Sequence, residues 1–172
     1  AGPQPRSHHQ CVGLRIEQRL AAYEQVLRGV RGLYVASQHV ERNEFRDYVS
    51  ILDLAEKYPG IQGVGFSLII PPQKKGSHIE AIRKEGFPDY TLHPQGEREL
   101  YTSIIYLEPF AGRNVSALGY DMYSEAVRRT AMERARDLDQ STMSGKVRLV
   151  QEVDQDVQFG FLMYVPVYRS GK

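Results

Sequence analysis

The sequence predicts an α+β domain: a long N-terminal stalk helix followed by an antiparallel sheet with helices on one side. Three observations carry this. Ile16, Leu20, Tyr23, Leu27, Val30 and Tyr34 recur at spacings of 4, 3, 4, 3 and 4, a heptad seam. The last strand-like segments form a hairpin about Asp154-Gln155-Asp156. Helical segments interrupt the strands rather than alternate with them, which argues against a parallel sheet.

The seam helix is expected from about Val12 to Ser37, roughly 39 Å long at 1.5 Å per residue. It reads equally as a helix packed on its own domain and as a stalk that also pairs with a second copy. Asn43 is the expected cap of a second helix, about 44–57, with Phe45, Tyr48, Val49, Leu52 and Ala55 inward. Tyr58-Pro59-Gly60 ends it. Ile61–Ile70 follows as a strand with Val64, Phe66, Leu68 and Ile70 on one face. Gly63, Gly65 and Ser67 on the other leave room for a neighbour or a ligand.

Ser77-His78-Ile79-Glu80 reads as a capping box for a short helix that Gly86 stops. Phe87–Leu92 is read as a short strand, Glu97–Leu107 as a long one, and Val115–Tyr120 as a short extended piece. Ser124 is the expected cap of a third helix with Val127, Ala131, Ala135 and Leu138 inward. A hairpin then pairs Lys146–Val153 with Val157–Tyr168.

With 172 residues, one domain with a substantial core is expected rather than two. The 41% apolar and 25% charged content excludes a disordered chain. A net charge of +1 disfavours a nucleic-acid partner, and the single Cys11 permits no internal disulfide. No apolar run reaches the ~20 residues that cross a bilayer. Residues 1–11, with His8 and His9, read as a flexible leader.

Catalytic templates find little purchase. Gly63-Val64-Gly65 leads into a strand rather than a helix, so it is no dinucleotide fingerprint. His39, His78 and His93 lack ligand spacing, and no cofactor or metal is expected. Glu99, Glu108, Asp121 and Glu152 fall in or beside the sheet and could serve as an acid/base pair or hold a ligand's donor groups. The arginines around Arg128-Arg129 alternate with Glu125, Glu133 and Asp137, which reads as a solvated helix face.

Three stretches resemble one family. They are YPGIQGVGF (58–66), LYTSIIYLEPFAGRN with ALGYDMYSEAVRRTAMERARD (100–137), and SGKVRLVQE (144–152) with GFLMYVPVYR (160–169). Together they resemble the CHASE domain, the cyclase/histidine-kinase-associated sensory extracellular domain, over about residues 16–169. The resemblance implies a PAS-like ligand-binding part and a smaller membrane-proximal α/β half. In this division residues 12–42 are the stalk and 43–169 the sensory region. Residues 170–172 lead toward a membrane helix outside the sequence.

In cytokinin-binding members an aspartate lies two positions before a Tyr-x-x-Val-Ile-Phe strand. Tyr101–Tyr106 is similar to that strand, and Glu99 occupies the acidic position. The resemblance implies a pocket lined by Glu99, Tyr101, Ser103, Leu118, Gly119, Tyr120, Val150, Phe161 and Met163. The expected function is extracytoplasmic sensing of a small molecule, in the periplasm, by a receptor whose output is a histidine kinase or a diguanylate cyclase or phosphodiesterase. Membrane helices would flank the segment, and the fragment itself is not an enzyme. A homodimer through Ile16, Leu20, Tyr23, Leu27, Val30 and Tyr34 is the expected assembly. The competing readings are a carboxylate-dependent hydrolase and a cytoplasmic PAS-like interaction module.

Overall fold

The computed structural model describes residues 8–149 and 159–168. The fold is α+β, as the pattern predicts. Helix α1 runs His8–Ala36, within one residue of the expected end. From Leu20 onward its seam lies against the domain. Val26 and Val30 are buried, Leu20, Tyr23, Leu27 and Tyr34 are half-buried, and the Tyr23 hydroxyl donates to the Pro59 carbonyl at 2.6 Å. Nearer the N-terminus, Val12, Leu14 and Ile16 are exposed.

The second helix is shorter than predicted. Helix α2 spans Arg42–Ile51, and a one-turn helix α3, Leu54–Lys57, follows a break at Asp53, whose φ is 52°. Asn43 lies inside α2 rather than capping it. Its first turn is closed instead by the Glu44 carboxylate, which accepts from the Glu41 N–H at 2.8 Å. Phe45, wholly buried, joins Tyr34, Phe66 and Tyr106 in an aromatic core in which Tyr34 stacks on Phe66 at 4.0 Å.

Strand β1, Val64–Ile70, pairs antiparallel with β2, Tyr101–Glu108, with a bulge between Phe66 and Ser67. The glycine face of β1 serves a neighbour. A Cβ on Gly65 would meet the Tyr106 carbonyl oxygen at 2.8 Å, and one on Gly63 would meet Asn114 Nδ2 at 3.1 Å. Helix α4, Lys75–Lys84, begins two residues before the Ser77 of the expected box, whose hydroxyl donates back to the Lys74 carbonyl. Gly86, at φ 108°, follows its end as expected.

No regular strand forms at Phe87–Leu92 or Val115–Tyr120, and Gly112–Ala117 is a 3-10 turn. The two segments extend the sheet through irregular backbone bonds. Gly119 N–H donates to Ile104 O and Ile104 N–H to Tyr120 O. His93 N–H donates to Gly119 O and Asp121 N–H to His93 O. Gly119 explains the irregularity: its φ is 83°, and a Cβ there would lie 2.2 Å from the Thr91 carbonyl oxygen.

Helix α5, Ala126–Leu138, is capped by Glu125, whose carboxylate accepts from the N–H groups of Val127 and Arg128. Ser124, the predicted cap, donates to the Asp121 carbonyl instead. The buried stripe is also rotated. Arg128, Ala131 and Ala135 face inward, while Val127 and Leu138 are exposed. The reading of Arg128 as part of a solvated face is therefore wrong.

The C-terminal hairpin is present in two short ladders rather than as part of one continuous sheet. Strand β3, Thr142–Met143, pairs with β6, Met163–Tyr164, and β4, Val147–Arg148, pairs with β5, Phe159–Gly160. Val150, Glu152, Asp154 and Asp156 lie outside the described residues.

Candidate ligand-binding site

Strand β2 is rich in β-branched and aromatic residues and is buried on both faces, so its sequence neighbours are held closely. Tyr101 is buried. Its hydroxyl accepts from the Arg98 N–H at 3.0 Å and donates to the Gly96 carbonyl at 3.1 Å, which folds residues 96–100 back over the strand end. The Lys75 ammonium lies 4.5 Å from the centre of its ring. Ser103 is wholly buried, with Oγ 2.5 Å from the Tyr90 hydroxyl, which is itself 2.7 Å from His78 Nε2. Burial lowers the His78 pKa, against the opposing effect of the Glu85 charge.

The remaining expected pocket residues fall elsewhere. Leu118 is half-buried and its carbonyl accepts from His93 Nε2 at 3.0 Å. Gly119 is in the sheet extension. The half-buried Tyr120 lies beneath the Arg128 guanidinium, 5.2 Å from the ring centre. Met163 is half-buried in β6, whereas Phe161 is 62% exposed. Val150 is not among the described residues.

Two cavities lie beside these residues. One, of about 390 Å³, sits between residues 86–93 and 115–118 and has Leu118 in its wall. The other, of about 450 Å³, is lined by Arg98, Glu99, Leu100, Tyr123 and Arg129. Tyr101 and Ser103 face neither. The arrangement thus places Glu99 on a cavity and packs its strand neighbours into the core.

Two residues that line the Glu99 cavity, Arg98 and Tyr123, are held by Asp121, which is fully buried. One carboxylate oxygen accepts from Thr102 N–H at 2.9 Å, Thr102 Oγ1 at 2.8 Å and Tyr123 N–H at 3.1 Å. The other lies 3.3 Å from Arg98 Nη1. Asp121 therefore ties the start of β2 to the turn that leads into α5. Above it, the Tyr123 hydroxyl donates to Glu133, and Arg129 Nη1 donates to the Tyr123 carbonyl at 3.2 Å.

The sequence pointed to Glu99 but not to Arg98, Leu100, Tyr123 or Arg129. Arg98 and Leu100 were visible as its immediate neighbours. No local pattern links them to Tyr123 and Arg129, which the fold brings in from 25 and 31 residues beyond Arg98. Of the other candidate carboxylates, Glu152 lies outside the described residues and the remaining two have structural partners. Glu108 accepts from the Phe110 N–H at 3.0 Å, and Asp121 is committed as described. Among the described residues no cluster of His, Cys, Asp and Glu is arranged to hold a metal, and no helix is long and apolar enough to cross a membrane.

A second polar cluster joins α1 to the end of α5 and to Tyr168. Arg31 of α1 pairs with Asp139, just past α5, at 2.7 Å, and its guanidinium lies 5.7 Å from the ring centre of Tyr168. The Tyr168 hydroxyl in turn donates to the Arg136 carbonyl. The stalk helix, the end of α5 and Tyr168 thus meet at one place.

Comparison with known proteins gives one family. The model of the CHASE domain matches residues 38–172. No curated protein gives a significant match.

Proposed function

The chain belongs to the CHASE domain family, whose members are extracellular sensory rather than catalytic domains of signalling receptors, and from that premise we propose that it binds a small molecule in the cavity beside Glu99. The observation that carries the site is the coincidence of Glu99, the acidic position before the β2 strand, with an open cavity of about 450 Å³. A volume in this range suits a metabolite.

The route outward runs through α5. Arg129 in its first turn borders the cavity, and Asp139 at its far end holds Arg31 of α1. The two positions are ten residues, about 15 Å, apart along the helix. Ligand bound more tightly to one arrangement of α5 shifts the population toward it and carries α1 along. In the parent receptor the domain faces the periplasm between membrane helices, and its output is a histidine kinase or a diguanylate cyclase or phosphodiesterase. The exposed Val12 and Ile16, one turn apart on the same face of α1, pair with a second copy in a parallel homodimer.

The test is a thermal-denaturation screen with adenines, amino acids and small carboxylates, followed by hydrogen exchange on any compound that stabilises the chain. A stabilising compound that slows exchange in residues 27–36 of α1 supports the reading. A compound that stabilises without touching α1 refutes the coupling, and a screen with no stabilising compound refutes ligand sensing. For the dimer, Ile16→Cys in a Cys11→Ser background should form a disulfide-linked pair in the membrane-embedded receptor. Its absence would eliminate pairing through the stalk.

A further inference from the structure

The charges around the cavity select a class of ligand, an inference that rests on the sensory reading above. Glu99 and Arg129 line the same cavity, yet neither forms an ion pair with the other or with anything else among the described residues. Arg129 has one side-chain hydrogen bond, from Nη1 to the Tyr123 carbonyl, and its guanidinium lies 5.8 Å from the centre of the Tyr123 ring, an arrangement that leaves its other N–H donors without an acceptor. Glu99 has no hydrogen-bond partner among the described residues and is exposed.

The other charges at the site are spoken for. Arg98 is balanced by Asp121, 3.3 Å away, and its Nη2 donates to the Pro94 and Gln95 carbonyls. Glu133 accepts from the Tyr123 hydroxyl. Glu125 caps α5 and faces Arg128 at 3.5 Å. What remains is one carboxylate and one guanidinium without an ion-pair partner among the described residues, separated by more than ion-pair distance across one cavity.

We propose that the cavity takes a zwitterion of the α-amino acid type, its carboxylate on Arg129 and its ammonium on Glu99. The net charge of the uncommitted pair is zero, which matches a ligand of zero net charge with separated poles. A dicarboxylate would set its second anion against Glu99. A neutral purine would leave the guanidinium without an anionic partner. Planar guanidinium donors suit a carboxylate in bidentate fashion, and Leu100 supplies an apolar wall for a side chain.

The test uses the 172-residue chain and thermal denaturation with L-leucine, and with two analogues that each lack one pole: 3-methylbutylamine without the carboxylate and 4-methylpentanoate without the ammonium. The other L-amino acids, adenine and succinate complete the set. The expected result is stabilisation by one or more amino acids and by neither analogue. Arg129→Gln and Glu99→Gln should each weaken amino-acid binding by at least about tenfold, the loss expected of a charge-assisted hydrogen bond. Arg134→Gln, at an exposed position of α5, should bind as the parent chain does.

Stabilisation by adenine or succinate with none by amino acids overturns the zwitterion and leaves the sensory reading standing. Stabilisation by 4-methylpentanoate equal to that by leucine also overturns it, because the ammonium would then contribute nothing. Binding that survives both Gln substitutions places the ligand elsewhere and overturns it too. Failure of every compound overturns the zwitterion together with ligand sensing.

Discussion

Asp121 is the test of how the site is held. Replacing it with asparagine keeps the shape and leaves an oxygen to accept from Thr102 N–H, Thr102 Oγ1 and Tyr123 N–H. Two things are lost. Those bonds change from charge-assisted to neutral, and the new amide N–H₂ faces Arg98 Nη1, 3.3 Å from the former oxygen, donor against donor. Breaking a buried pair by removing one partner costs roughly 3–5 kcal/mol. The Arg98 side chain retains 21% exposure, so water recovers part of that. The expected cost of Asp121→Asn is about 3 kcal/mol, or roughly 6–12 °C in Tm for a chain of this size. Urea denaturation of the single variants and of Asp121→Asn/Arg98→Met completes a cycle. With the cation gone, the second substitution should cost at least about 1 kcal/mol less than additivity requires. A cost below about 1 kcal/mol for Asp121→Asn, or strict additivity, would refute the account of Asp121 as a charged pin.

Three further outcomes follow from the geometry. Gly119→Ala should destabilise by about 3 kcal/mol or more, because φ 83° and a Cβ 2.2 Å from the Thr91 carbonyl must both be relieved. Gly86→Ala, at φ 108° in open space, should cost about 1 kcal/mol, and urea midpoints compare them. Because burial depresses the His78 pKa, the unfolded chain takes up its proton first as pH falls. Stability should therefore decline below about pH 6.5, and His78→Gln should flatten that slope in denaturation curves taken across pH. Arg31→Ala and Tyr168→Phe should each change global stability by less than about 1 kcal/mol, since the Arg31–Asp139 pair is solvated. They should nevertheless speed amide exchange at the C-terminal end of α1.

What the sequence revealed and what it hid divide along physical lines. The α1 seam, the α2 positions Phe45 and Val49, the pairing face of β1 and the C-terminal hairpin were readable because periodicity and turn residues are local signals. The break at Asp53 was not, because no glycine marks that left-handed residue. Arg128 was misread because hydropathy patterns treat arginine as surface. Here the Tyr120 ring and the Arg148 carbonyl at 2.6 Å, together with the helix-capping Glu125 at 3.5 Å, make its burial tolerable. Asp121 looked like any of four sheet-edge carboxylates until the fold brought Arg98 and Thr102 to it. Glu99 was reached through the strand that follows it, but its cavity partners on α5 belong to contacts that only folding creates.

The contrast in strength between the two polar centres bears on how such a domain can signal. A ligand moves an equilibrium only by its differential affinity, and tenfold preference for one arrangement supplies about 1.4 kcal/mol. That is too little to disrupt the buried Asp121 network, whose loss costs more than twice as much. It is comparable to the Arg31–Asp139 contact, where a solvated pair contributes at most about 1 kcal/mol. The Asp121 network behind Arg98 and Tyr123 therefore stays fixed as ligand arrives, while the contact between α5 and the stalk is weak enough to exchange. On the proposed reading, strengthening that contact beyond the ligand's reach should lock the receptor in one state with its cavity intact. A cross-link between Arg31→Cys and Asp139→Cys, made with a short bifunctional thiol reagent in a Cys11→Ser background, is the direct form of the experiment. Ligand binding retained with signalling lost would support this division of roles, and signalling that persists through the locked joint would show that the output travels by another path.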